Sequence, residues 1–102
     1  MRIEEVVWKE EFSEKIIRKH SVFEEEVEEV LLSSPHIRLA QKGRVKNEHL
    51  YFAYGKTEAD RYLLILFIDK KNGFVLPITA RDMTLAERRY FNEQAKTNRS
   101  DS

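Results

Sequence analysis

Tyr62 to Ile68 reads Tyr-Leu-Leu-Ile-Leu-Phe-Ile, nearly all apolar and only seven residues long. Such a run is too short to cross a membrane, which takes roughly 18 apolar residues or more. It has the pattern of a central strand covered on at least one face. What lies around it bounds the fold. Asp69-Lys70-Lys71-Asn72-Gly73 reads as a hairpin connection, with Asn-Gly supplying positive-φ positions. Phe74 to Thr79 then forms the next strand. Pro77 within it offers no N–H to a ladder, so it belongs at an edge, a bulge or a strand end. Upstream, Leu50-Tyr51-Phe52-Ala53-Tyr54 is rich in strand formers, and Gly55 is expected to begin a turn. Ile37 and Leu39 alternate with Arg38 and Ala40, which gives a fourth strand after Pro35.

Helical spacing frames these strands. Residues 10–19 place Phe12 and Ile16 on one face. Ser21 with Glu24 reads as a capping box opening a second helix, whose apolar stripe is Phe23, Val27, Val30 and Leu31. Glu24, Glu25, Glu28 and Glu29 form its other face. Thr84 with Glu87 reads as another capping box, opening a last helix of about three turns. The expected architecture is α+β: two N-terminal helices, a four-stranded antiparallel sheet and a C-terminal helix. Residues 1–95 are expected to form one domain, and 96–102 a tail with nothing to bury.

The chain of 102 residues carries 18 Lys and Arg against 18 Asp and Glu, and no cysteine. It therefore has no disulfide framework, thiolate nucleophile or zinc–thiolate site. The start, Met-Arg-Ile-Glu-Glu, lacks the apolar stretch of a secretory signal, so a cytoplasmic protein without a membrane anchor is expected. The neutral total hides an asymmetry. Residues 1–30 hold ten acids and five bases, whereas residues 31–102 hold eight acids and thirteen bases. A polyanion partner would meet the second part.

His20, His36 and His49 have no metal-ligand spacing, and no glycine-rich phosphate loop is present, so no metal or cofactor is expected. What remains is a set of cations beside the expected sheet: Lys42, Arg44, Arg61, Arg81, Arg88 and Arg89. Guanidinium groups hold phosphate bidentately and stabilise charge in a phosphoryl transition state. RNA cleavage needs no metal when a base frees the neighbouring 2′-hydroxyl. Tyr51, Tyr54 and Tyr90 are placed either to stack bases or to fill the sheet surface. Arg81 beside Asp82 is equally a local ion pair.

Ile78-Thr79-Ala80-Arg81-Asp82-Met83-Thr84, followed by Glu87-Arg88-Arg89-Tyr90, resembles the C-terminal signature of the BrnT toxins. Trp8, the Lys19-His20-Ser21-Val22 stretch, and Glu48, Tyr51, Gly55 and Arg61-Tyr62-Leu63 resemble earlier parts of that family in the same order. The resemblance covers about residues 6–91. It implies a RelE-like ribonuclease of a type II toxin–antitoxin pair, which cleaves RNA and stops translation. It also implies a BrnA-like antitoxin with a ribbon–helix–helix region, through which alone the complex would meet promoter DNA.

Position by position, the resemblance implies Arg81, His20, Glu48 and Arg61 as catalytic. His20 is placed to act as acid or base, or to fix the turn between the helices. Glu48 is placed to accept a proton or to position an arginine. Lys19, Lys42, Arg44, Arg89, Tyr51 and Tyr90 are the expected RNA contacts. Two departures stand out. Val75-Leu76-Pro77 occupies the stretch where the family often has an arginine, and Ser21 replaces its usual glycine. These departures leave a second reading, a non-catalytic interaction module of the same fold.

Overall fold

The structure, a computed structural model, describes residues 1–43 and 48–100, with side chains through residue 96. Its elements in chain order are β1 (Glu5–Val6), α1 (Glu10–His20), α2 (Glu24–Leu31), β2 (His36–Gln41), β3 (Leu50–Lys56), β4 (Tyr62–Asp69), β5 (Phe74–Asp82) and α3 (Leu85–Ser100). The fold is α+β, with the strands in the order β1-β5-β4-β3-β2.

This corrects the expected four-stranded antiparallel sheet. The described residues form a five-stranded mixed sheet, because Glu5 and Val6 pair in parallel with Phe74 and Val75. Two residues are too few to show a period of two, so this strand leaves no signal in the sequence. The other pairings are antiparallel, as expected. β4 lies at the centre of the sheet, and all three of Leu63, Leu64 and Ile65 are buried.

Side-chain alternation gives the sheet two different faces. Ala53, Ile65 and Ala80 stand in register on one, and they pack with Ile16, Val22, Val27, Val30 and Leu31 of the helical pair and its connection. On the other face Tyr54 and Leu64 pack with Met83, Tyr90 and Phe91 beneath α3. The sheet is thus covered by α1 and α2 on one side and in part by α3 on the other.

The local signals have specific outcomes. Lys71, Asn72 and Gly73 all adopt positive φ in the β4–β5 hairpin. Pro77 sits beside the register shift opposite Leu66 and Phe67, so its missing donor falls at a bulge of an interior strand. Thr84 and Glu87 exchange the two bonds of a capping box. The Ser21–Glu24 box does not form. Ser21 instead closes α1 in the left-handed region, at φ 54°. The Glu26 carboxylate accepts from the Phe23 N–H at the start of α2, which leaves Phe23 about half exposed. β5 runs to Asp82, so Arg81 lies within the strand and not after it. α3 continues through Ser100, past residue 95 where a loose tail was expected. Glu93, Gln94, Ala95 and Lys96 are good helix formers that need no core contact to extend it.

Gly55 does not begin a turn; it lies within β3, against Val30 of α2. A Cβ there would stand 2.5 Å from Val30 Cγ1. Valine cannot swing that methyl away freely, since its χ1 is restricted in a helix. Gly55→Ala should therefore lower the unfolding free energy by about 1–3 kcal/mol through overpacking. An unchanged urea midpoint would show that α2 can shift to make room.

Candidate functional site

His36, Tyr54, Leu64 and Arg81 stand opposite one another on four adjacent strands. They form one row across the sheet, on the face beneath α3. Tyr90 of α3 comes down onto this row. Its hydroxyl lies 2.7 Å from His36 Nε2, and its ring packs 5.3 Å from the imidazole and 5.1 Å from Tyr54, centroid to centroid. Arg38, one pleat along from His36, sets its guanidinium carbon 4.9 Å from the Tyr90 ring centre. A cation over a ring face is held by the ring quadrupole.

Burial, and then the charge of Arg38, push the His36 pKa below its ordinary 6.5. The imidazole is therefore neutral near pH 7, and one member of the His36–Tyr90 pair donates to the other. The same shift fixes a pH effect. Between the lowered folded value and 6.5 the unfolded chain binds the proton more readily, so stability is full above 6.5 and falls as pH drops through that window. Urea midpoints measured from pH 7.5 down to 5 should decline, and His36→Gln should flatten that decline. Equal slopes in both proteins would assign the decline to other groups.

Arg81 closes the other end of the row. Its Nη1 and Nη2 donate to the two carboxylate oxygens of Glu87, at 2.8 Å each, and Nη1 also reaches the Asp82 carbonyl at 3.1 Å. The Thr84 N–H donates to Glu87 at 2.8 Å. Hydrogen bonding from Arg81 is the main reason the Glu87 carboxyl is pulled down to about 2. The Arg81 side chain keeps 40% of its surface exposed, so the guanidinium lies at the surface and not in the core.

Arg61 behaves differently. It precedes β4 and faces the helical pair. Nε and Nη2 take the Asp82 carboxylate at 2.8 and 3.2 Å. Nη1 donates to the Ser21 carbonyl at 2.9 Å and to Glu26 at 3.0 and 3.2 Å. Nη2 also donates to the His20 carbonyl at 3.2 Å. A guanidinium has five N–H groups, and here all are engaged. Arg61 thereby joins the end of α1, the start of α2 and the end of β5. Its bond to Asp82 is the main reason that carboxyl titrates below its ordinary value.

The four residues expected to be catalytic are not brought together. Arg81 and Asp82 are successive residues of one strand, so Arg81 and the Arg61–Asp82 pair belong to opposite faces of the sheet. His20, half-buried at the end of α1, lies on the Arg61 side, where its charge helps to lower Asp82. Glu48 pairs with Lys70 at the other end of the sheet. Along β4, the four steps from Leu64 to Ile68 span about 13 Å, which separates the Glu48 end from the Arg81 row. Lys19 and Arg89 are exposed on α1 and α3.

Lys42 is also exposed. It borders a shallow hollow with Gln41, Gly43, Glu48, Leu50, Ile68 and Ile78. Arg44 lies outside the described residues. Tyr51 stacks on Phe67 at 5.8 Å, on the face packed by the helical pair, and so serves the core. Among the expected contacts that lie within the described residues, Tyr90 alone packs onto the row that holds Arg81.

His36, Arg38 and Glu87 were missed as site residues. A signal for the first two existed: Ile37 and Leu39 point one way, so His36 and Arg38 share the opposite face. Among the described residues, no three His, Asp or Glu side chains group as a metal ion would need. Also among the described residues, no helix is long and apolar enough to cross a membrane. No protein-family model matches the sequence, and no curated protein matches it significantly.

Proposed function

We propose that this chain is a metal-independent endoribonuclease of RelE-like fold, the toxin of a type II toxin–antitoxin pair resembling BrnT. It acts in the cytoplasm on RNA, inhibits translation, and is neutralised by a BrnA-like ribbon–helix–helix antitoxin that alone carries the complex to promoter DNA. One observation supports this reading above the others. The face beneath α3 carries an arginine fork, Arg81, at one end of a row and, three strands across at the other end, a neutral imidazole hydrogen-bonded to a phenol, His36 and Tyr90, with the Arg38 guanidinium beside that phenol.

Those groups suit phosphodiester scission by the adjacent hydroxyl. The 2′-oxygen attacks phosphorus and gives up its proton to a base; the bond from phosphorus to the 5′-oxygen breaks, and that oxygen takes a proton. The products are a 2′,3′-cyclic phosphate and a 5′-hydroxyl. A neutral imidazole is the right base near neutrality, and a guanidinium steadies charge on the non-bridging oxygens. His36 therefore replaces His20 as the proposed acid–base group.

The test is purified protein with single-stranded RNA in excess chelator. Cleavage should leave cyclic phosphate ends and should stop when the 2′-hydroxyl at the cut site is replaced by hydrogen. Induction without a partner should arrest growth. Intact RNA together with normal growth would overturn the proposal.

A second reading has its own supporting observation: both arginines expected to be catalytic already hold carboxylates, Arg61 with Glu26 and Asp82, and Arg81 with Glu87. A non-catalytic interaction module would tolerate that. It predicts intact RNA and partner binding that survives Arg81→Ala.

A further inference from the structure

We infer that the donors around Glu87 form a phosphodiester-binding site that the chain fills with its own carboxylate, so that Glu87 gates Arg81. The inference rests on the reading of the chain as an RNA-binding protein. Three donors converge on the Glu87 carboxylate: Arg81 Nη1, Arg81 Nη2 and the Thr84 N–H, each at 2.8 Å. The first two form a parallel bidentate fork, the geometry an arginine offers to phosphate as readily as to carboxylate. The third comes from the N-terminal end of a helix, where unpaired N–H groups and the helix dipole favour an anion. A phosphate oxygen pair in the place of the carboxylate would inherit all three donors.

The gate can open without unmaking the fold. Glu87 is the third residue of α3, its side chain keeps 22% of its surface exposed, and it has rotatable bonds to swing outward. Arg81 stays in β5, fixed by the strand pairing with Leu64. Displacement carries a charge consequence. With Glu87 in place the fork is neutralised, whereas with a glutamine there it presents a full positive charge to the RNA backbone.

Glu87→Gln separates this role from capping. Glutamine completes a capping box as glutamate does, so the start of α3 is retained while the charge is lost. The probe is a single-stranded RNA whose 2′-hydroxyls are replaced by hydrogen, so that binding is read without cleavage. Glu87→Gln should bind it about tenfold more tightly than wild type at moderate salt, and the plot of log affinity against log salt should steepen by about 0.7, the value for one added phosphate contact on a single strand. Adding Arg81→Ala to Glu87→Gln should cancel the gain. Glu25→Gln, which removes an equal charge from an exposed position on α2, should leave affinity unchanged.

Inorganic phosphate provides the independent arm, titrated while the Arg81 Nε–H resonance is followed. A phosphate-induced shift that is stronger in Glu87→Gln supports the site. If that shift appears while the oligonucleotide fails to bind any variant, the anion site stands and the RNA reading falls. If Glu87→Gln gains nothing with either probe, or if its gain survives Arg81→Ala, the gate is overturned, whatever the wild type does to RNA.

Discussion

Arg61→Ala is expected to cost about 3 kcal/mol of unfolding free energy, against a total of roughly 5–15 kcal/mol for a domain of this size. The thermal midpoint should fall by roughly 15 °C. The reason is convergence. The Arg61 side chain is three-quarters shielded from solvent, and its guanidinium satisfies the carbonyls of His20 and Ser21 together with the carboxylates of Glu26 and Asp82. Those two carbonyls belong to the end of α1, where a helix runs out of partners. Truncation leaves them short of donors and places the Glu26 and Asp82 charges near one another uncompensated.

The figure stays well below the sum of six bonds because the site is partly wet: the Asp82 side chain is 62% exposed. Arg61→Lys should recover only part of the loss, since an ammonium brings three donors from one point and no planar fork. Equilibrium denaturation of the three proteins decides this. A drop below about 1 kcal/mol for Arg61→Ala would show that water replaces the guanidinium adequately.

The features legible in the sequence were the short-range ones. Asn72-Gly73 specified its hairpin because positive φ has a local chemical cause. Thr84 and Glu87 specified a helix start because both capping bonds lie within one turn. Pro77 limited its place to an edge, a bulge or a strand end, because a missing N–H must fall where no ladder bond is needed, and the register shift beside it is a bulge. Ser21 and Glu24 carried the same kind of signal, yet it failed. Ser21 was needed to end α1, and Glu24 is engaged by the Ser13 hydroxyl. Two competing uses of one short segment cannot be ranked without the packing around it.

The site was less legible for a related reason. Two of the expected cations, Arg61 and Arg81, hold carboxylates that the topology brings to them. Arg61 met Glu26, 35 residues away in the chain, and Asp82, 21 away. Glu48 was drawn to Lys70 at the opposite end of the sheet. The acidic face expected on α2 is likewise largely engaged. Glu28 accepts from the Trp8 indole at 3.0 Å, Glu24 from Ser13, and Glu29 from the backbone N–H of Glu58, which leaves Glu25 exposed. These donors are neutral, so the face keeps its negative charge while some of its oxygens are already occupied.

Arg81→Ala should separate chemistry from folding in the opposite sense to Arg61→Ala. Arg81 is at the surface, its guanidinium bonds lie within residues 81–87, and Glu87 keeps its bond to Thr84 without it. Loss of a partly exposed ion pair of this kind costs about 1 kcal/mol. Under the proposed function, RNA cleavage should nevertheless fall by roughly 10²–10³-fold, the scale of removing one preorganised donor from a site where charge develops. Arg81→Lys should restore the charge but not the fork, and so should recover cleavage only in part. The comparison has to be made at protein concentrations corrected for the folded fraction, with Arg61→Ala measured beside it. That variant should lose stability while its folded molecules cleave at close to the wild-type rate, because its donors all point to the protein. If Arg61→Ala instead abolished cleavage by folded protein while Arg81→Ala left it intact, the chemistry would belong to the His20 side of the sheet. The row from His36 to Arg81 would then be a structural seam beneath α3.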